Sequence, residues 1–279
     1  VDVTAAMMTF PDRSFDRGQI VASRERQRII GDYELDWLDQ LNRRTFPDTI
    51  TYARSDYDSH GYQTHAYFML RPARQPGKHR KQFHSYVPYR CLLPRGLDGI
   101  LVVGLGISAH RDAMPIVRMQ PDLQNIGYAA GIAATMAAGS KCSLRGIDIK
   151  ALQAHLIEAG ILDRRTKSHA DSYPVKQATL TEAVAALPQS YSGLGTVLAE
   201  PTRALPLLRQ AYTQTDGHDR LAYAHVLGIL GDATGVPALV SAANAILKTG
   251  DLKHRKESDG MDRGTQLMWA LGRSRAPAA

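Results

Sequence analysis

Residues 100–109 read ILVVGLGISA, an aliphatic run that breaks into a turn with glycine at 104 and 106. A linker carrying Pro115 and Arg118 follows, and then a helix-compatible run rich in small residues from Pro121 to Ala138. An apolar strand-like run, a glycine turn and a helix in that order point to an α/β unit. The turn fits the GxGxxA pattern that cradles a dinucleotide pyrophosphate, but its context does not. Such a turn opens directly into an unbroken helix, with a second strand ending in an acid about 20 residues on. Here Pro115 falls where the third helical turn would be, removing an N–H and clashing with the turn before it. No strand precedes the next helix, and Asp122 stands at that helix's opening, where a carboxylate complements the helix dipole. What remains is an expected buried strand at Ile100–Val103, a glycine turn, and a helix whose Gly127, Ala129, Ala130, Gly131, Ala133 and Ala134 admit a close neighbour. The free N–H groups at its start suit an anionic or carbonyl-bearing ligand, while tight helix–sheet packing explains the same residues equally well.

Around this unit the texture changes along the chain. Residues 1–20 lack periodicity and read as loop. The segment Arg24–Tyr33 suits a strand or short buried run, Asp36–Arg44 a helix, and Thr49–Ala53 a strand. Gln63–Leu70 alternates as a strand would, and a turn is expected at Pro94–Gly96. From about Leu144 the pattern is helical. Asp148–Ala159 carries an amphipathic stripe, and Glu182–Leu187, Thr202–Thr213, Asp219–Leu230, Gly235–Lys248 and Asp262–Arg273 follow. Leu221, Val226, Leu227, Leu230, Val236, Leu239, Val240, Ile246 and Leu247 form two stripes that can face each other across residues 231–237, an αα-hairpin. The Leu-Gly pair at 227–228 recurs 44 residues later at 271–272, a spacing that fits HEAT-like helical repeats. The final helix is therefore expected to expose an apolar face and to exchange its amide hydrogens fastest.

Charge and cysteine content exclude some classes. The 34 Lys and Arg against 27 Asp and Glu give a net charge of +7, yet much of the excess lies between Arg71 and His84, which holds five Lys or Arg and no acid. Only Phe83 could stack a base within that stretch, so it reads as a solvated loop and not as a nucleic-acid surface. No apolar run approaches the roughly 18–20 residues that a membrane span requires. Cys91 and Cys142 cannot supply a disulfide framework, which fits a reducing compartment such as the cytoplasm.

Several separated stretches, in order, resemble the C-terminal part of a family of FAD-dependent oxidoreductases. They are SRERQRIIGDY (23–33), YDSHG (57–61), VPYRCLLP (87–94), LVVGLGIS (101–108), RMQP (118–121) and GYAAGIAA (127–134). The resemblance implies a partial Rossmann-like FAD domain whose last strand is Ile100–Val103, with inserted substrate-domain strands. It also implies FAD as cofactor, contacted by Gly104, Gly106, Ile107, Ser108, Arg118, Gln120, Gly127 and Gly131. Leu105 stands where the family has Arg, and Tyr128 where it has Gln. The family's GxGxxG half is absent from the 279 residues, and the first residue is Val1 and not Met. The chain is thus expected to be a fragment, incomplete as a flavoprotein by itself.

The resulting expectation is an α/β FAD region over 1–165, a linker over 166–200, and an all-α HEAT-like region over 201–279. The activity expected is hydride transfer between a small-molecule substrate and flavin, with His60 and Arg90 handling the substrate. A protein partner is placed at the helical repeats. The alternative is a non-catalytic interaction module with a vestigial flavin fold. Asp56, Asp58, His60 and His65 match no closed metal-site spacing, so no metal is expected. The order Ser108, Ala109, His110 is not a GxSxG elbow, and Cys91 beside Leu92 and Leu93 reads as an inert core thiol.

Overall fold

A computed structural model describes residues 27–57, 63–71, 82–249 and 262–275. Helix α1 (Trp37–Leu41) begins at Asp36, whose carboxylate accepts the Leu38 N–H while Asp39 accepts the N–H of Asp36, a reciprocal cap. Strand β1 (Thr49–Ser55) runs antiparallel to β2 (Phe83–Pro88), with Tyr52 opposite Tyr86 and Arg54 opposite His84. Strand alternation buries Thr51, Ala53, Ser85 and Val87 and turns Tyr52 and Arg54 outward. Between the strands lies the one-turn helix α2 (Tyr67–Leu70).

Helices α3 (Met114–Val117), α4 (Gln120–Ser140) and α5 (Ile149–Glu158) pack on β1. They close a first core around Leu35, Phe46, Ile50, Leu92, Ile126 and Leu156. The remaining helices are α6 (Gln177–Ala185), α7 (Leu194–Ala199), α8 (Pro201–Gln214), α9 (Gly217–Ile229), α10 (Val236–Thr249) and α11 (Arg263–Arg273). Helix α9 lies against α8, α10 and α11. This second core reaches back to α1 and α2, where Trp37 has its ring 4.7 Å from Tyr57 and 5.0 Å from Phe68. Segment 166–200 thus carries two helices, with Leu180, Val184, Leu194 and Val197 buried in that core.

Several expectations are corrected. Ile100–Val103 is not a buried strand: Ile100 is 50% and Val103 43% exposed, and among the described residues no strand lies beside it. Among the described residues its backbone contact is one bond from Val102 N–H to the Leu92 carbonyl. Among the described residues the sheet has two strands, compatible with part of an FAD-binding fold. Gln63–Leu70 is a turn leading into α2; all of Tyr67–Leu70 is buried, so the apparent alternation had no solvent face to report. Leu247 leaves the α10 stripe and is 69% exposed. The same core covers Leu267 and Ala270 of α11, while Met268 faces solvent.

Candidate functional site

The glycine turn is a short 3-10 turn at Gly104–Gly106, with Gly104 at φ +71, a conformation that suits glycine. Ser108 anchors it. Its N–H donates to the Cys91 carbonyl at 2.9 Å, its carbonyl accepts the Leu35 N–H at 3.1 Å, and its hydroxyl accepts the Gly31 N–H at 2.9 Å. The Ile29 N–H bonds the Gly106 carbonyl at 3.0 Å, so three separated stretches meet at this turn. The approach is close enough that a Cβ on Gly31 would lie 2.6 Å from the Ser108 Cβ. Ser108 and Ile107 are fully buried, so their side chains build the turn and do not line a surface.

Helix α4 packs against this turn as well as against β1 and α5. Its first turn holds Gln120, exposed, and Asp122, which is buried and accepts the backbone N–H of Arg54. Burial pushes the Asp122 carboxyl up to about 6. Arg118, half-buried, caps α3 through its N–H to the Met114 carbonyl at 3.0 Å. A Cβ on Gly104, Gly127 or Gly131 would meet nothing within 4 Å, so all three positions are open on that side. Tyr128 stacks on His155 of α5, and its hydroxyl lies 2.8 Å from Nε2 of that ring.

A family model described as FAD dependent oxidoreductase matches residues 6–156, more than half of the chain. The chain belongs to this family. Comparison with curated proteins and with solved structures gave no match. The FAD dependent oxidoreductase match spans both strands, the glycine turn and α4. The open backbones at Gly104, Gly127 and Gly131 fit the close approach of a flat ring; the enclosed side chains of Ile107 and Ser108 fit the support of such a surface.

Of the two residues expected to handle substrate, His60 lies outside the described residues. Arg90 donates through Nε and Nη2 to both oxygens of Asp48, at 3.0 and 3.1 Å, and its guanidinium lies 5.1 Å from the Tyr33 ring centroid. Cys91 is fully buried, and burial raises its thiol pKa well above the ordinary value, as an inert core thiol requires. Among the described residues no helix is long and apolar enough to cross a membrane. A surface depression lined by Ala154, Ile157, Glu158, Arg164 and Lys167 contains none of these groups.

Sequence reasoning missed a polar cluster just beyond the turn. Asp112, 1% exposed, accepts the N–H groups of Thr64 and His65 at 2.7 and 2.6 Å on one oxygen and Arg111 Nη1 at 3.1 Å on the other. The rings of His65 and His110 stand edge to face at 5.5 Å, and His65 Nε2 lies 3.4 Å from Asp36. The SAHRD string at 108–112 carries three of these groups, but their partners at 36, 64 and 65 come from distant segments that local spacing cannot connect.

Proposed function

We propose that this chain carries the part of an FAD-dependent oxidoreductase that lies against the flavin ring, and that the surface formed by Gly104–Gly106 and the first half of α4 meets it. The packing of the turn on α4, with Gly104 open in the turn and Gly127 and Gly131 open on the helix, supports this reading most directly. When bound, FAD supplies the acceptor for a hydride from a small-molecule substrate. The protein's part is to bind and orient. Backbone at Gly104, Gly106, Gly127 and Gly131 admits the ring, with Gln120 and Arg118 at the positive end of the helix favouring negative charge on it. Ile107 and Ser108 hold the turn from behind. Arg90 is fixed by Asp48, which leaves Nη1 as its donor for a substrate carboxylate. His60 is proposed as its companion.

The appended helices α8–α11 are proposed as HEAT-like and as a surface for a protein partner. The 44-residue Leu-Gly recurrence supports this, although Gly228 is in tight helix contact and Gly272 is open.

Gly127→Leu tests the flavin surface, because a Cβ at this position meets nothing within 4 Å among the described residues. FAD affinity is expected to fall by about tenfold or more, the equivalent of ~1.4 kcal/mol, with far-UV circular dichroism unchanged. Equal affinity in the variant would remove Gly127 from the flavin surface.

A further inference from the structure

The cluster beyond the glycine turn has a feature that packing does not require. Each of its two imidazoles accepts at Nδ1 a hydrogen bond from the backbone N–H two residues downstream. Tyr67 N–H bonds His65 at 3.0 Å, and Asp112 N–H bonds His110 at 3.2 Å. A ring nitrogen that accepts from an N–H holds a lone pair there, so each neutral ring carries its proton on Nε2. In His65 that nitrogen faces Asp36. In His110 it meets no partner among the described residues, and the ring is only partly buried. His110 also follows the turn directly: its N–H bonds the Leu35 carbonyl at 2.8 Å, next to the bond from Leu35 N–H to Ser108. The donor is thus fixed to the same backbone as the turn.

We propose that Nε2–H of His110 is a neutral hydrogen-bond donor for a carboxylate or carbonyl oxygen of a ligand bound beside the Gly104–Gly106 turn. The flavin reading supplies that ligand's part in the reaction; the donor itself rests on the ring geometry. The N–H of Asp112 closes the Nδ1 side of His110, so Nε2–H is the donor this ring presents, with His65 in edge-to-face contact. The groups around the pair are the carboxylates of Asp36 and Asp112, with the guanidinium of Arg111 on Asp112. Burial lowers the His65 pKa, with Asp36 and Asp112 opposing it and His110 adding to it, so the neighbouring ring favours the neutral form. A donor of this kind holds an oxygen without giving up its own proton, as suits the orientation of a substrate before a hydride leaves its carbon.

The test uses the 279-residue chain labelled with 15N. Long-range 1H–15N correlation at pH 7.5, with His110 assigned by its loss in His110→Gln, is expected to show a protonated Nε2 and a bare Nδ1. Oxalate, as a small dicarboxylate probe, is expected to shift the Nε2 resonance. His110→Phe should weaken oxalate binding by about tenfold, the usual worth of a hydrogen bond to a charged group. His110→Gln, which retains an N–H donor, should stay within about threefold of the parent. A proton on Nδ1 in the parent chain overturns the proposal whether or not either variant folds, and so does undiminished oxalate binding by folded His110→Phe. FAD is titrated into the same sample separately. Binding is read by quenching of flavin fluorescence; its absence counts against flavin contact by this chain alone and leaves the tautomer and oxalate results to decide the donor.

Discussion

His225 shows how a single buried side chain ties stability to pH. It is 3% exposed, the Tyr191 hydroxyl lies 2.6 Å from its Nδ1, and its Nε2 is buried without a hydrogen-bond partner among the described residues. Burial, with Arg263 and His218 adding to it, lowers its pKa from 6.5 to about 4. In the unfolded chain the imidazole takes a proton near its ordinary value; in the folded chain it resists until about pH 4. The unfolded state therefore binds more protons between those limits, and stability falls as pH drops through them. The full contribution, present above the unfolded value, is about 3 kcal/mol. Urea unfolding at pH 7.5 and pH 4.5 should show this loss, and His225→Leu should flatten it. An equally steep loss in the variant would assign the acid sensitivity to other groups.

At the scale of one element, α4 shows a carboxylate whose placement costs stability near neutral pH. Asp122 carries no cap bond within α4; it reaches across to the Arg54 N–H, which only partly offsets its burial. Its pKa is raised to about 6 from 3.8, so over that interval the folded chain holds a proton that the unfolded chain has released. Stability from this group is complete below the lower value and is lost as pH rises through the upper one. Asp122→Asn keeps an acceptor for Arg54 and removes the charge. It should raise the thermal midpoint at pH 7.5 by more than at pH 4, and equal gains at both would contradict the burial argument. Helix α4 was also the most legible element. Pro121 and the small-residue run place it over 121–138, and it spans Gln120–Ser140. The aliphatic run Ile100–Val103 was misleading because a strand and an exposed extended segment have the same composition, and only a neighbouring strand distinguishes them. The glycine turn could be read from its residues. Its clamp by Gly31 and Ser108 could not, because 77 residues separate the partners.

At the scale of the whole molecule, the family-matched region and the helices after it share a core, joined by contacts that no sequence period announces. Arg44 donates through Nε and Nη2 to Asp171 at 2.9 Å each and through Nη1 to Tyr33 and Asp39, with its guanidinium near the rings of Phe46 and Tyr173. Asn42 donates to the Gly195 carbonyl at 3.1 Å, and a Cβ on Gly195 would meet Leu41 at 2.5 Å. At the far end, α11 is fastened to α9 by equally close contact. A Cβ on Gly228 would lie 2.6 Å from the Ala270 carbonyl oxygen, and Arg273 Nε donates to the Ile229 carbonyl at 2.9 Å. The neighbour at Gly228 is backbone, which cannot rotate away, so Gly228→Ala must push the two helices apart. Leu267 and Ala270 would then lose burial against α9 while α6 and α7, whose main packing is on α8 and α1, keep theirs. Hydrogen exchange should therefore quicken over 263–273 in this variant and stay unchanged over 177–199. Exchange that quickens equally in both stretches would mean that the helical part opens as a single cooperative unit, with α11 integral to its core.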